Sequence, residues 1–253
     1  QRKLFFTRSV KKHVLQLDQQ ESVDTIHFLN NTSVVDLGEK NSKTVATLNS
    51  YHALCPKANL FYKEKTPCTG CSPGKYVGCI TCSKYVGRIR LQWYLKYNPV
   101  FWLWNYQSYL RQRERLRNVG KKIVFNTYTR DLLQKKAMPH VAIVPNFTVM
   151  NEAVPSKPPL HSKGLTVTYI GNLEKMKGVH HVLQAYAMLK EKKEDVRFIF
   201  AGEGTYAPFI RALAQRHADI VFKGAVPHQD VGKIYAETDV VVIPSLWPEP
   251  FSR

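Results

Sequence analysis

Residues 165–178 read LTVTYIGNLEKMKG, and how they are read decides the fold. LTVTYI is an apolar run of strand length, Gly171 lets the backbone turn tightly, and Gly178 opens VHHVLQAYAMLKEK, an amphipathic helix. A strand that turns on glycine into a helix is one βα unit, and the unit repeats downstream. VRFIFAG (196–202), YAPFIRALAQRH (206–217), DIVFKG (219–224), HQDVGKIYAET (228–238) and DVVVIP (239–244) alternate strand and helix without a break. Strands apolar on both faces, separated by amphipathic helices, predict a parallel sheet covered on both sides. Ligands of such sheets sit outside the carboxyl ends of the strands, which singles out the loops after 171, 202, 224 and 244.

Upstream the pattern continues less regularly. KKIVFN (121–126) and VAIVPN (141–146) read as strands flanking a helix TRDLLQKKA (129–137), with Thr129 as its N-cap. VDTIHFLN (23–30) and KTVATLN (43–49) also read as strands, after an opening helix QRKLFFTRSVKKHVLQLDQQ that looks entered midway. EAVPSKPPLHSKG (152–164), rich in Pro, Ser and Lys, is the best linker. The expected organisation is a first α/β domain over 1–148 with a Cys-rich module at 55–82, a linker over 149–164 and a second α/β domain over 165–253. No internal repeat or low-complexity tract is visible.

The composition narrows the function classes. At 253 residues and 44% hydrophobic content the chain can bury a sizeable core. No run of apolar residues is long enough to span a bilayer, and the start has no signal-peptide layout. Thirty-seven Lys+Arg against 19 Asp+Glu leave a net charge of +18, which calls for an anionic partner: a nucleotide diphosphate, a phospholipid surface or nucleic acid. All five cysteines fall between 55 and 82, a cluster that suits a metal site in a reducing compartment, so a cytoplasmic location is expected.

Taken singly, the loop motifs are weak. Lys177 beside the helix-opening Gly178 suits a diphosphate clamp, yet it reads equally as a solvated lysine in a βα loop. Gly202 and Gly204 in FAGEGTY, and Gly224 and Val226 in FKGAVP, are ordinary glycine turns after strands. Their order is specific. Gly171-Asn172-Leu, Lys177-Gly178, Gly-x-Gly, Phe-x-Gly-x-Val and Asp-Val-x-Val-x-Pro-Ser-x-x-x-Glu-Pro-Phe closely resemble the C-terminal half of family 4 (group 1) glycosyltransferases of the GT-B superfamily. The likeness is strong over 165–253 and looser through IVFNTYTRDLL and IVPNFTV.

The resemblance implies two Rossmann-like domains. It also implies a retaining transferase that moves a sugar from a nucleotide-diphosphate donor to a glycan or lipid-linked acceptor in cell-surface glycan assembly, with no cofactor for catalysis. On it, Lys177 pairs with donor phosphates, Glu249 lies near the donor sugar, and the turn at Pro250 and Phe251 offers its amides to sugar hydroxyls. Gly171, Asn172, Gly202, Gly204, Gly224 and Val226 complete the expected donor site. Lys177 and Glu249 are the expected catalytic pair, and the first domain lies on the acceptor side. Asn172 stands where the family commonly has Arg. Asn49 stands where TLNSYHALCP (47–56) would be expected to carry a sugar-contacting histidine, with His52 three residues later as a candidate substitute. The family's second glutamate would fall beyond PEPFSR (248–253) and earlier strands would precede residue 1. The chain is therefore expected to be a piece of a longer enzyme, inactive by itself.

CPKANLFYKEKTPCTGCSPGKYVGCITC (55–82) holds two Cys-x2-Cys pairs, Cys68/Cys71 and Cys79/Cys82, with Cys55 ahead of them. Four thiolates suit tetrahedral zinc; free buried thiols and an iron–sulfur cluster are the alternatives. Some family 4 members carry a similar insertion with cysteines resembling Cys55, Cys68, Cys79 and Cys82, which leaves Cys71 as the alternative ligand. The segment 85–122 mixes Trp93, Trp102, Trp104 and many tyrosines with Arg and Lys. It reads either as a surface on the inner face of a membrane or as a packed helix with a solvated basic face, with Pro99 breaking or kinking it. A rival class, a basic zinc-knuckle nucleic-acid-binding protein, shares the charge, aromatics and cysteines. Its basic residues, however, are spread through α/β units rather than gathered on one motif, so no nucleic-acid partner is expected.

Overall fold

A computed structural model of the chain describes residues 2–30, 32–83, 85–86, 89–90, 92–146 and 164–250. It contains two compact units, Gln1–Phe147 with Pro248–Arg253, and Thr148–Trp247. The expected linker at 149–164 lies, except for Gly164, outside the described residues, as does Phe251.

In the first unit, helix α1 (Arg2–Glu21) leads into strand β1 (Ile26–Phe28) and then β2 (Thr44–Thr47). The cysteine module follows, with a short hairpin β3 (Phe61–Tyr62)/β4 (Thr66–Pro67), helix α2 (Pro73–Ile80) and a second hairpin β5 (Tyr85–Val86)/β6 (Ile89–Arg90). Helices α3 (Trp93–Lys96) and α4 (Pro99–Asn118) then return the chain to β7 (Lys121–Val124), α5 (Thr127–Gln134) and β8 (Val141–Ile143). The strands pair in parallel in the order β1-β2-β7-β8.

Pro99 does not kink a helix here; it starts one. Asn98 caps α4 by accepting from the Val100 and Phe101 N–H groups, and proline at the first turn costs no hydrogen bond. The α5 cap is Asn126 rather than the expected Thr129, whose N–H it receives at 2.8 Å. The lysine pair before IVF shows what pattern reading leaves open. Lys122 points inward, 1% exposed, and its ammonium donates to the Val119 carbonyl at 2.7 Å and the Arg117 carbonyl at 3.2 Å. There it meets the negative end of α4, a favourable place for a cation.

The second unit runs β9 (Leu165–Ile170), α6 (Val179–Glu191), β10 (Val196–Ala201), α7 (Ala207–Arg216), β11 (Ile220–Gly224), α8 (Val231–Ala236) and β12 (Val240–Val241). Its parallel sheet has the order β11-β10-β9-β12. Val167, Tyr169, Phe198 and Phe200 pack against Val179, Val182 and Tyr186 of α6 and Ala207 and Ile210 of α7. Ile199 and Ala201 pack with Ile234 of α8 on the other side. The sheet is thus covered on both faces, as its two-sided apolar strands require.

DVVVIP was expected to be another buried strand. Only Val240 and Val241 pair with β9, and they remain 41% and 43% exposed among the described residues. Polar groups hold this edge strand in register. Asp239 accepts from the Thr166 N–H at 2.8 Å, and the Thr168 and Thr238 hydroxyls bond at 2.7 Å.

Candidate functional site

In the order β11-β10-β9-β12 the chain adds strands to one side of β9 and then crosses to the other. That reversal between β9 and β12 is the switch point at which open α/β sheets leave a crevice for ligands. The loops meeting there are 171–178 and 242–247. Gly178 adopts φ +75° between the 3-10 turn Lys175–Lys177 and α6, and a Cβ on it would overlap the Pro244 carbonyl oxygen. The Leu246 N–H donates to the Met176 carbonyl at 3.0 Å, and the Lys177 ammonium lies 5.5 Å from the centre of the Trp247 ring. A cation over an indole face is held electrostatically, so Trp247 fixes the direction of Lys177. Sequence reasoning passed over Trp247; its place directly before Pro-Glu-Pro was the available signal.

The other glycine loops knit to the same rim. Gly171 N–H bonds the Ala201 carbonyl at 2.9 Å, and Gly202 N–H bonds the Gly224 carbonyl at 2.7 Å. Gly202 adopts φ +137°, and a Cβ there would overlap the Gly171 carbonyl oxygen, so this close approach requires glycine. The Glu174 carboxylate accepts from the Thr205 N–H at 2.9 Å and hydroxyl at 2.8 Å, tying the loop after β9 to the loop after β10. Gly204 stands between them, against the Leu173 backbone. Asn172 is exposed, with its carbonyl accepting from the Tyr169 hydroxyl at 2.7 Å. Val226 packs beside Ile199, Ala201 and Ile234. The structure therefore brings Gly171, Asn172, Lys177, Gly202, Gly204 and Gly224 to one edge of one sheet.

His180, in the first turn of α6, lies tilted by 35° against His181 with ring centres 4.1 Å apart and stacks on Tyr206 at 6.3 Å. Burial, followed by His181 and Lys175, lowers its pKa from the usual histidine value.

The first unit has its own cluster at the carboxyl edge. Asn49 follows β2 and donates to the Leu29 carbonyl at 3.4 Å; His52 Nδ1 lies 2.9 Å from the Ser50 hydroxyl. The Asn126 side-chain NH2 donates to the carbonyls of Glu249 at 3.3 Å and Pro250 at 2.7 Å. Glu249 thus belongs to the first unit, whereas Lys177 belongs to the second. Tyr51 is fully buried, 3.3 Å from the Thr129 hydroxyl. Burial above all, with smaller contributions from Tyr128 and Glu249, pushes its pKa up to about 12. Asn126 was missed as an anchor because an N-cap and a clamp on a segment more than a hundred residues away are indistinguishable in sequence.

The cysteine module folds around a cavity of about 20 Å³ lined by Cys55, Cys68, Cys71, Cys79, Leu54, Leu60 and neighbouring residues. All five cysteines are free thiols, Cys79 buried and Cys82 exposed. Ser72 caps α2, whose Tyr76, Cys79 and Ile80 share its buried face. Cys82 follows the end of that helix and so leaves the core. Among the described residues, no three His, Cys, Asp or Glu side chains already stand together as metal ligands.

The described residues of the 85–122 segment are partly packed and partly exposed. Phe101, Trp102 and Tyr106 pack on Tyr76 and Ile80, and the Trp102 ring N–H donates to the Lys96 carbonyl at 2.9 Å. Trp93, Tyr94, Tyr97, Val100, Leu103 and Trp104 are exposed. Among the described residues no helix is long and apolar enough to cross a membrane.

Comparison with known proteins agrees with the switch-point geometry. The family profile of "Glycosyl transferases group 1" matches residues 150–253. The chain is similar to spore coat protein SA of Bacillus subtilis (strain 168), with 32% identity over 103 residues, covering 37% of this chain and 27% of that protein. It is similar to the uncharacterized glycosyltransferase MJ1607 of Methanocaldococcus jannaschii, with 32% identity over 89 residues, covering 34% of this chain and 22% of that protein. The chain thus spans about a quarter of the length of these relatives. Its fold matches the crystal structure of WaaG, a glycosyltransferase involved in lipopolysaccharide biosynthesis. That match has a TM-score of 0.52 at 14% identity, covering 92% of this chain and 56% of WaaG. Residues 150–253 thus match the group 1 glycosyl transferase family, and the chain shares its fold with WaaG.

Proposed function

We propose that the protein to which this chain belongs moves a sugar, with retention of anomeric configuration, from a nucleotide-diphosphate donor to a glycan or lipid-linked acceptor in cell-surface glycan assembly. The observation that carries the reading is Lys177, set on Trp247 at the β9/β12 switch point beside the start of α6. A lysine and a helix N-terminus at one crevice form an anion site suited to a diphosphate.

Departure of the nucleotide develops negative charge on the phosphate that bonded the sugar, and positive charge on the ring. Lys177 and the α6 start offset the first, and the glycine rim at Gly171, Gly202 and Gly224 lets phosphate oxygens approach backbone closely. Glu249, its backbone held by Asn126, orients sugar hydroxyls and offsets ring charge, assisted by the Pro250 turn and by Phe251. Asn49 or His52 contacts the transferred sugar. No catalytic cofactor is required.

The exposed Trp93, Tyr94, Tyr97, Val100, Leu103 and Trp104 support a working place on the inner face of a membrane, where a lipid-linked acceptor is found. A thermal-shift screen of nucleotide-diphosphate sugars against the complete protein tests the assignment. At least one should raise the melting temperature, and the Lys177→Ala variant should lose that shift. Stabilisation by none, together with tight, salt-sensitive retention on an RNA or DNA column, would replace this reading with the nucleic-acid one.

A further inference from the structure

The four cysteines on the cavity differ from the set that spacing and resemblance suggested. Cys71 faces it, while Cys82 is exposed outside it. The Lys63 N–H donates to the Cys79 sulfur at 3.3 Å. A neutral thiol sulfur is a weak acceptor, so a backbone N–H aimed at the Cys79 sulfur is an arrangement suited to a thiolate. Such partners orient and stabilise sulfur ligands around a metal.

The charges nearby are of the complementary sign. Lys57 is 3% exposed, with its ammonium 3.2 Å from the Phe61 carbonyl, and Lys75 lines the same cavity. The Lys136 ammonium stands 3.3 Å from where a Cβ of Gly70 would lie, in the middle of the Cys68–Cys71 turn. Burying a lysine is costly unless an anion compensates it. Four thiolates on a divalent cation carry a net charge of −2, which these lysines offset.

We propose that Cys55, Cys68, Cys71 and Cys79 hold one zinc ion that pins the module, with Cys82 outside the site. The cavity has room for a single water-sized centre, which suits one ion and no cluster. The sulfurs line the cavity without standing at ligand distances, so binding draws them inward by rotation of the cysteine side chains and releases their thiol protons. With four sulfur ligands the ion is closed to substrate and serves the fold. The site is independent of the sugar-transfer reading.

The test is metal analysis of the 253-residue protein purified without chelator, with Cys71→Ser and Cys82→Ser alongside. One zinc per chain is expected in the wild type and in Cys82→Ser, falling at least tenfold in Cys71→Ser. Because the serine at 71 can unfold the module by itself, alkylation of the wild type with mass-spectrometric readout gives a second measurement. Cys82 should label at once, and the other four only after a strong chelator. Cobalt titration of reduced apoprotein should give the thiolate charge-transfer band and intense visible bands of a tetrahedral site. Absence of zinc together with a featureless cobalt titration overturns the site. Zinc loss in Cys82→Ser with retention in Cys71→Ser overturns the ligand set, and a brown protein carrying iron and sulfide overturns the ion.

Discussion

Substituting Gly178 with alanine strikes the rim where the two switch-point loops touch. The left-handed backbone at φ +75° costs a non-glycine residue about 1–2 kcal/mol. The added methyl would overlap the Pro244 carbonyl oxygen and meet its carbonyl carbon at 2.7 Å. Carbon atoms pack at about 3.5–4.0 Å, so the 242–247 loop must retreat by roughly 1 Å. Retreat breaks the Leu246 N–H bond to Met176, about 1 kcal/mol net. The sum is about 2–3 kcal/mol, or a melting temperature lower by roughly 4–12 °C at this chain length.

Gly232, in the first turn of α8, provides the control, because a Cβ there meets nothing within 4 Å. Gly232→Ala should be neutral or stabilising by up to about 1 kcal/mol. Urea denaturation followed by circular dichroism measures both, with m-values checked for constancy. In the complete protein, Gly178→Ala should also weaken donor binding, since it shifts Trp247 from beneath Lys177. If Gly178→Ala melted within a degree of the wild type, the close approach of the two loops would be wrong, and with it the rim.

In the complete protein, Lys177→Ala and Glu249→Ala should each lower turnover roughly 10²-fold, the scale for a lost charge partner of a transition state. Wild-type initial rates in either variant would remove that residue from the site. Asn126→Ala removes the α5 cap and the hold on the Glu249 and Pro250 carbonyls, and should cost about 2 kcal/mol in urea denaturation. Asn126→Asp keeps a capping oxygen and should recover about half of that. His180 has a folded pKa depressed by burial, so its neutral form is favoured in the fold. Its contribution to stability is complete above the unfolded histidine value of about 6.5 and is lost as pH falls through the folded value. Stability measured from pH 7.5 down to 5 should fall less steeply in His180→Asn; parallel curves would exclude the histidine as the cause.

The alternation of apolar runs and amphipathic helices, with glycine at each carboxyl end, determined the parallel α/β architecture and which loops would lie together at the carboxyl edge of the sheet. That information is local, because strand burial on both faces and a turn through positive φ constrain residues within a few positions of one another. The short β12 was overread because an edge strand and a central strand can share the same apolar composition. Only tertiary structure could decide contacts between distant segments: the indole under Lys177, the Asn126 side chain on the Glu249 and Pro250 carbonyls, and the inward turn of Lys122 onto the end of α4. The same holds for the cysteines. Spacing pairs Cys79 with Cys82, but α2 buries Cys79 on the face it shares with Tyr76 and ends before Cys82. The choice of thiols on the cavity was therefore made by helix geometry and burial, which no count of residues between cysteines contains.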